Sequence, residues 1–324
     1  MFTNLAKEIK VVEVGPRDGL QNEAEKIPTE AKVQLIEALA KAGLKNIEIS
    51  SFVSPKWIPQ LADALEVARQ LDLKEVNKSA LVPNLKGYER FKEASLDQVA
   101  LFMSATEGHS KKNINKSIEE AVNSLDQVCR LAKADGYPVR CYLSVVFECP
   151  YEGDVKPEEV VKIVERLVSM GVDEISLGDT IGAATPNQVI DLIEMVRKYC
   201  DLDNLALHFH DTRGTALANV VAGLESGIKI FDASVGGLGG CPYAPGAAGN
   251  LATEDLVYLL HGVGCDTGVD LDRLVDAGSF AQDILGKKLP GRYLNASLAK
   301  RKKGCAAVEA CDDSSKVASK SQGR

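Results

Sequence analysis

Apolar and β-branched residues recur along the chain in short, nearly continuous runs. They lie at Lys10–Val14, Asn46–Phe52, Ser79–Val82, Gln98–Met103, Arg140–Phe147, Glu174–Leu177, Leu205–Phe209 and Ile230–Val235. Such runs suit strands buried on both faces. The stretches between them carry helix signals. Thr29 is placed to cap a helix that runs to Gly43, and Pro157 opens another that ends at Gly171. Ser117 with Glu120 forms a capping box, as does Thr185 with Gln188, with Pro186 at the first helical position. Strand followed by helix, repeated eight times, predicts an α/β fold of the (β/α)8 TIM-barrel type, for which ~250 residues is typical. A doubly wound sheet is the alternative. The regular repeats, with no Gly-x-Gly-x-x-Gly after the first strand, favour the barrel.

A barrel collects its catalytic groups at the C-terminal ends of its strands. Those ends carry Arg17 and Asp18 after strand 1, Glu48 within strand 2, Asn84 after strand 3 and Ser104 at the end of strand 4. Asp179 follows strand 6, His208 and His210 end strand 7, and a glycine-rich stretch from Gly236 to Asn250 follows strand 8. Polar residues gathered at one rim from separate parts of the chain are hard to explain as packing. They predict a site. After residue 296 the character changes to a basic run, Lys300 to Lys303, and then to Ala, Ser, Asp, Lys and Gly. The expected division is a barrel over 1–296, with an extended loop after strand 8, and a disordered tail over 297–324.

The chain has 324 residues, 45% of them hydrophobic, and no apolar run near the ~20 residues of a membrane span. Its net charge of −8, with both signs interspersed, lacks the basic stripe of a nucleic-acid surface. Eight scattered cysteines include no Cys-x-x-Cys pair, which predicts buried thiols in a reducing compartment. The N-terminus carries no signal-type or transit stretch, so the cytoplasm is the expected location.

His208 and His210 alternate on a strand end and so project from one face. Two imidazoles held this way suit one cation. Asp18 adds a hard anionic oxygen and Asn250 an amide oxygen. Two nitrogens, two oxygens and two positions open to substrate make an octahedral site, and ligation without thiolate points to Mg²⁺ or Mn²⁺. Arg17, next to Asp18, is a fixed positive charge with several donors; alone it fits a rim salt bridge equally well. Cys241 lies within the glycine-rich stretch, which suits a mobile lid or a close backbone approach to a ligand. Neighbouring cations can lower a thiol pKa from about 8.5 into the range useful for proton transfer.

Several segments carry a family resemblance. They are Val14-Gly-Pro-Arg-Asp-Gly-Leu-Gln-Asn22, Ser51-Phe-Val-Ser-Pro-Lys-Trp57, Lys111-Lys-Asn-Ile-Asn115, Cys149-Pro-Tyr-Glu-Gly153 and Glu174-Ile-Ser-Leu-Gly-Asp-Thr-Ile-Gly182. Gly237-Leu-Gly-Gly-Cys-Pro-Tyr243 and Ala248-Gly-Asn-Leu-Ala-Thr-Glu-Asp-Leu-Val-Tyr258 complete the set. From about residue 8 to residue 290 the chain resembles 3-hydroxy-3-methylglutaryl-CoA lyase. Condensing synthases of the same metal-dependent superfamily share the Arg-Asp and His-x-His elements but not the cysteine stretch.

The resemblance implies retro-Claisen cleavage of (S)-3-hydroxy-3-methylglutaryl-CoA to acetyl-CoA and acetoacetate. It implies a divalent cation on Asp18, His208, His210 and Asn250, with Arg17 facing the thioester oxygen and Cys241 protonating the carbanion. Glu48 and Asp179 match positions for proton transfer or orientation, and Glu254 a supporting acid. CoA is expected across the rim near Lys111, Lys112 and Asn113. A homodimer or higher homo-oligomer is expected. Phe209, Arg213 and the stretch from Phe102 to Ser110 depart from the better-known lyases, which leaves a larger 3-hydroxy-3-alkylglutaryl-CoA as an alternative substrate. Arg213 is expected either to line the acyl pocket or to point outward into a salt bridge.

Overall fold

The structure is a computed structural model and describes residues 5–240 and 249–303. Eight parallel strands close into a barrel: β1 (Lys10–Glu13), β2 (Asn46–Ser51), β3 (Asn77–Leu81), β4 (Gln98–Ser104), β5 (Val139–Ser144), β8 (Glu174–Asp179), β9 (Leu205–Phe209) and β10 (Ile230–Ala233). A two-stranded hairpin, β6 (Glu148–Cys149) with β7 (Gly153–Asp154), interrupts the series after β5. Neighbours in the ring follow chain order, and β10 pairs with β1 in register from Lys10↔Ile230 to Glu13↔Ala233. The expected TIM barrel is the fold.

Helices wrap this ring: α1 (Thr29–Lys41), α2 (Ala64–Gln70), α3 (Leu85–Lys92), α4 (Glu107–Ile114), α5 (Ile118–Ala134), α6 (Pro157–Ser169), α7 (Pro186–Val196), α8 (Ala216–Glu225), α9 (Thr253–Gly262) and α10 (Leu271–Leu285). Ser117 and Glu120 cap α5 reciprocally, as expected. At α7 the Gln188 side-chain oxygen accepts from the Thr185 backbone N–H. Thr29 does not cap α1. It is the first helical residue after Pro28, and its hydroxyl donates to Asp63 instead.

The run Arg140–Phe147 does not continue as one strand. Val145 has φ 57°, a left-handed conformation costly for a β-branched residue, and its N–H is held by Thr180 Oγ1 at 2.9 Å. The strand therefore stops at Ser144, on the rim where the site lies. At the other end of the chain, residues 292–303 are helical and cross residue 296. Leu298 packs against the core, and Arg301 pairs with Asp276 at 2.5 Å, so the packed structure runs past the expected boundary. No helix among the described residues is long and apolar enough to cross a membrane. The five described cysteines, Cys129, Cys141, Cys149, Cys200 and Cys265, are free and buried.

Candidate active site

After β1 the chain makes a single π-helical turn, Gly15–Gly19. Its tightness depends on Gly15: a Cβ there would lie 2.5 Å from the Glu13 carboxylate, whose Oε1 accepts from the Gly15 and Val235 N–H groups. The turn brings Arg17 and Asp18 to the barrel mouth as neighbours that face each other. Arg17 Nη1 donates to Asp18 Oδ1 at 2.6 Å, and Arg17 Nε donates to Glu48 Oε2 at 2.6 Å. Arg17 Nη2 makes no hydrogen bond with a described residue. Glu48 comes from β2, whose register shifts between Glu48 and Ser50, an irregularity of the kind that re-aims side chains next to sites. Tyr142 on β5 donates to the same Glu48 oxygen at 3.0 Å, and its ring lies 5.0 Å below the Arg17 guanidinium carbon.

Asp18, His208 and His210 each present a ligand atom, all within 4.8 Å of one another. An isolated bridge between His210 and Asn250 brings Asn250 beside them. The Asn250 amide nitrogen is fully used, donating to Asp18 Oδ2 at 2.9 Å and to the Leu238 carbonyl at 3.0 Å. Its Oδ1 is buried with no partner among the described residues. A buried carbonyl oxygen is costly to leave unpaired, and one set beside a carboxylate and two imidazoles fits a cation. The donor set suits a hard divalent ion.

Charge follows this geometry. Burial alone would raise the Asp18 carboxyl, but Arg17, His208 and His210 together hold it at about 2. Burial and the neighbouring His208 push His210 down to about 4, which keeps the imidazole neutral as a ligand must be. Burial also raises Glu48 above the usual carboxylate range, with Arg17 opposing.

Asp179, at the end of β8, holds the backbone that follows it. Its two oxygens accept from the Ala183 and Ala184 N–H groups, fixing the turn between β8 and α7, while burial pushes its carboxyl up to about 6. Glu254 is farther off: it accepts from the Gly236 N–H at 2.7 Å, under the start of the glycine-rich stretch. Burial, with Glu13 and Asp255 near, raises its carboxyl to about 8. Cys241 lies outside the described residues, as do Cys305 and Cys311.

A cavity of about 560 Å³ opens over the cluster, lined by Arg17, Asp18, His208 and His210 at the reactive end. Asn113 lines it, as does Lys116, but Lys111 and Lys112 do not. Lys111 instead is exposed and lies 3.7 Å from Glu107 one turn back on α4. Arg213 is also absent from the lining. Its Nη1 donates to the Ile181 and Gly182 carbonyls at 2.9 and 3.1 Å, so it braces the β8–α7 turn. It lies 3.9 Å from Glu148, the outward reading rather than the pocket one.

One constellation was missed in the sequence. Asp232 on β10 lies 3.3 Å from His208 Nδ1, accepts from Ser176 Oγ at 2.6 Å and pairs with Arg140. Arg140 pairs in turn with Glu174 at 2.6 Å, and Glu174 with Lys10 at 2.7 Å. This line of side chains crosses the barrel floor and ends on His208, a member of the Asp18, His208 and His210 cluster. The signal was present as charged residues, Arg140 and Asp232, inside otherwise apolar strand runs.

The chain matches the HMGL-like family over residues 8–281. It is 51% identical over 289 residues to the hydroxymethylglutaryl-CoA lyase of Bacillus subtilis (strain 168), covering 89% of this chain and 97% of that protein. The crystal structure of hydroxymethylglutaryl-CoA lyase from Pseudomonas aeruginosa has a TM-score of 0.90 at 48% identity, covering 93% of this chain and 100% of that one. An HMG-CoA lyase from Acinetobacter baumannii, in complex with coenzyme A and 3-methylmalate, has a TM-score of 0.86 at 38% identity, covering 91% of this chain and 96% of that one.

Proposed function

Because the chain belongs to the HMGL-like family, the hydroxymethylglutaryl-CoA lyases, we propose that it is a carbon–carbon lyase cleaving (S)-3-hydroxy-3-methylglutaryl-CoA to acetyl-CoA and acetoacetate. The observation that carries this reading is the orphaned Asn250 Oδ1 beside Asp18, His208 and His210, with Arg17 against them at the end of a ligand-sized cavity.

The reaction needs three things. The tertiary C3 hydroxyl must lose its proton, the C2–C3 bond must break with its electrons moving onto the thioester, and the resulting enolate must be protonated at carbon. A divalent cation, Mg²⁺ or Mn²⁺, held by Asp18, His208, His210 and Asn250 would polarise the substrate's oxygens and acidify the hydroxyl. Arg17, anchored through Nε and Nη1, keeps Nη2 for the thioester oxygen, where enolate charge develops. Glu48 fixes the guanidinium, with Tyr142 donating to the same oxygen, which is a positioning task. Asp179 positions the β8–α7 turn beside the histidines, and with a carboxyl raised to about 6 it is also able to take up a proton. Cys241 would deliver the proton to carbon. In support, the residues flanking its segment belong to the site: Gly240 lines the cavity and Asn250 belongs to the ligand set. Glu254 supports the start of that segment through Gly236.

The relative bound to coenzyme A supports an acyl-CoA substrate for this chain too. Buried free thiols support a cytoplasmic setting, and we propose a homo-oligomer of the catalytic barrel. Incubating the pure protein with Mg²⁺ and 3-hydroxy-3-methylglutaryl-CoA should give acetyl-CoA and acetoacetate in equal amounts, and chelation should stop it. Failure to form either product, with metal present, would overturn the assignment.

A further inference from the structure

Trp57 is the only tryptophan in the chain, and it is 74% exposed although it lines the cavity. An indole left mostly in water forgoes the burial that makes this side chain valuable in a fold, so packing does not explain it. Nor is it on a loose loop. Pro55 and Pro59 restrict the backbone on either side, and the Trp57 and Ile58 N–H groups both bond the Ser54 carbonyl, at 2.9 and 3.2 Å. Just beyond, the buried Gln60 ties the segment down. Its side chain donates to the Glu25 carbonyl at 2.7 Å and accepts from the Ile27 N–H at 3.1 Å, while its own carbonyl accepts from Lys32. The result is a large aromatic face in water, carried on a backbone that is tied down, on the rim of a binding cavity.

The cavity's charge says what that face would meet. Among the described residues Asp18 is the single carboxylate in the lining, and it belongs to the metal cluster. Lys116 lines the wall with no described carboxylate within ion-pair distance, and Asn22, Asn84 and Asn113 add amide groups. On a chain of net charge −8, a wall without acids away from Asp18 suits an anionic, hydrogen-bonding ligand. A nucleotide is such a ligand: its phosphates need cations, its base needs a π-face, and its charge keeps it at the wet end of the cavity.

We propose that Trp57 is the stacking platform for the adenine of the CoA moiety, with Lys116 facing its phosphates. This rests on the acyl-CoA reading above and adds to it the residue that grips the nucleotide, remote from the reacting carbons.

The single tryptophan makes the test direct. CoA alone, without turnover, should quench Trp57 emission saturably, and adenosine 3′,5′-bisphosphate should do the same while pantetheine should not. Trp57→Ala should raise KM for the CoA thioester about 10- to 100-fold, the range expected for loss of one base–aromatic stack, with kcat falling much less. Trp57→Phe should recover part of the loss. A substrate truncated to the pantetheine thioester should have the same KM in parent and Trp57→Ala. CoA binding seen by calorimetry with unmoved emission, or an equal KM penalty on the truncated substrate, would overturn the platform while leaving the lyase intact. No CoA binding by calorimetry would overturn the acyl-CoA reading itself, and the platform with it.

Discussion

Replacing Arg17 by Gln tests whether the guanidinium acts on the transition state or merely holds the rim together. In the structure it does both, and the two effects separate in magnitude. Arg17 is buried and pairs with Glu48 and Asp18, each at 2.6 Å. Breaking a buried pair by removing one partner costs about 3–5 kcal/mol of stability, because a charge is left uncompensated. Here part of that loss is relieved. Burial already pushes the Glu48 carboxyl up, and loss of the opposing Arg17 charge pushes it further, which favours the neutral form. The rate is a separate matter. One donor aimed at a developing oxyanion is worth about 10²–10³-fold in kcat.

The variant should therefore fold with a lowered melting temperature, and turn over at least 10²-fold more slowly with KM changed far less. The Glu48→Gln variant supplies the control. If Glu48 works by holding Arg17, the double variant should be no slower than Arg17→Gln alone, and it should recover stability because no buried carboxylate is stranded. Steady-state kinetics at saturating Mg²⁺ and thermal melts on the four proteins complete the cycle. Rate losses that simply multiply would refute the coupling. A loss confined to KM would make Arg17 an anchor for substrate.

Three further outcomes follow from the site. Asp232→Asn should weaken Mn²⁺ binding about 10–100-fold, measured by calorimetry, because it removes the carboxylate charge 3.3 Å from His208 Nδ1; unchanged affinity would show that β10 plays no part in holding the ion. Glu254, raised from 4.5 to about 8 by burial, ionises less readily folded than unfolded, so it lowers stability progressively as pH rises from about 4.5 to about 8. The Glu254→Gln protein should thus lose less melting temperature than the parent over that window, and parallel curves would refute the buried-carboxyl account. Lys116→Ala should raise KM for the CoA thioester several-fold, whereas Lys111→Ala and Lys112→Ala should not, since only Lys116 lines the cavity; the reverse order would place the nucleotide on the outer face of α4.

What the sequence made legible, it did through periodicity and local chemistry. The eight apolar runs correspond to the eight barrel strands because parallel strands covered by helices must be apolar on both faces. His208 and His210 were readable as a pair because alternation on a strand is a local rule. Where a residue's environment is decided by distant chain, the reading failed. Thr29 carries the right side chain for a cap, yet Asp63, thirty-four residues on, takes its hydroxyl. Lys111 and Lys112 lie on α4 and outside the cavity lining, whereas Lys116, set beyond the left-handed Asn115 that ends the helix, lines it, a placement that the motif alone does not give. The line from Lys10 through Glu174, Arg140 and Asp232 to His208 was hidden for the same reason. Its members lie on β1, β8, β5, β10 and β9, and only closure of the barrel sets them side by side. Arg140 and Asp232 are buried charges in otherwise apolar runs, which the cost of burying an unpaired charge forbids unless partners exist. A charge in such a run therefore announces that partners exist across the barrel without naming them. That is why the pairing of His208 with His210 was legible in the chain, while the Asp232 carboxylate 3.3 Å from His208 needed the fold.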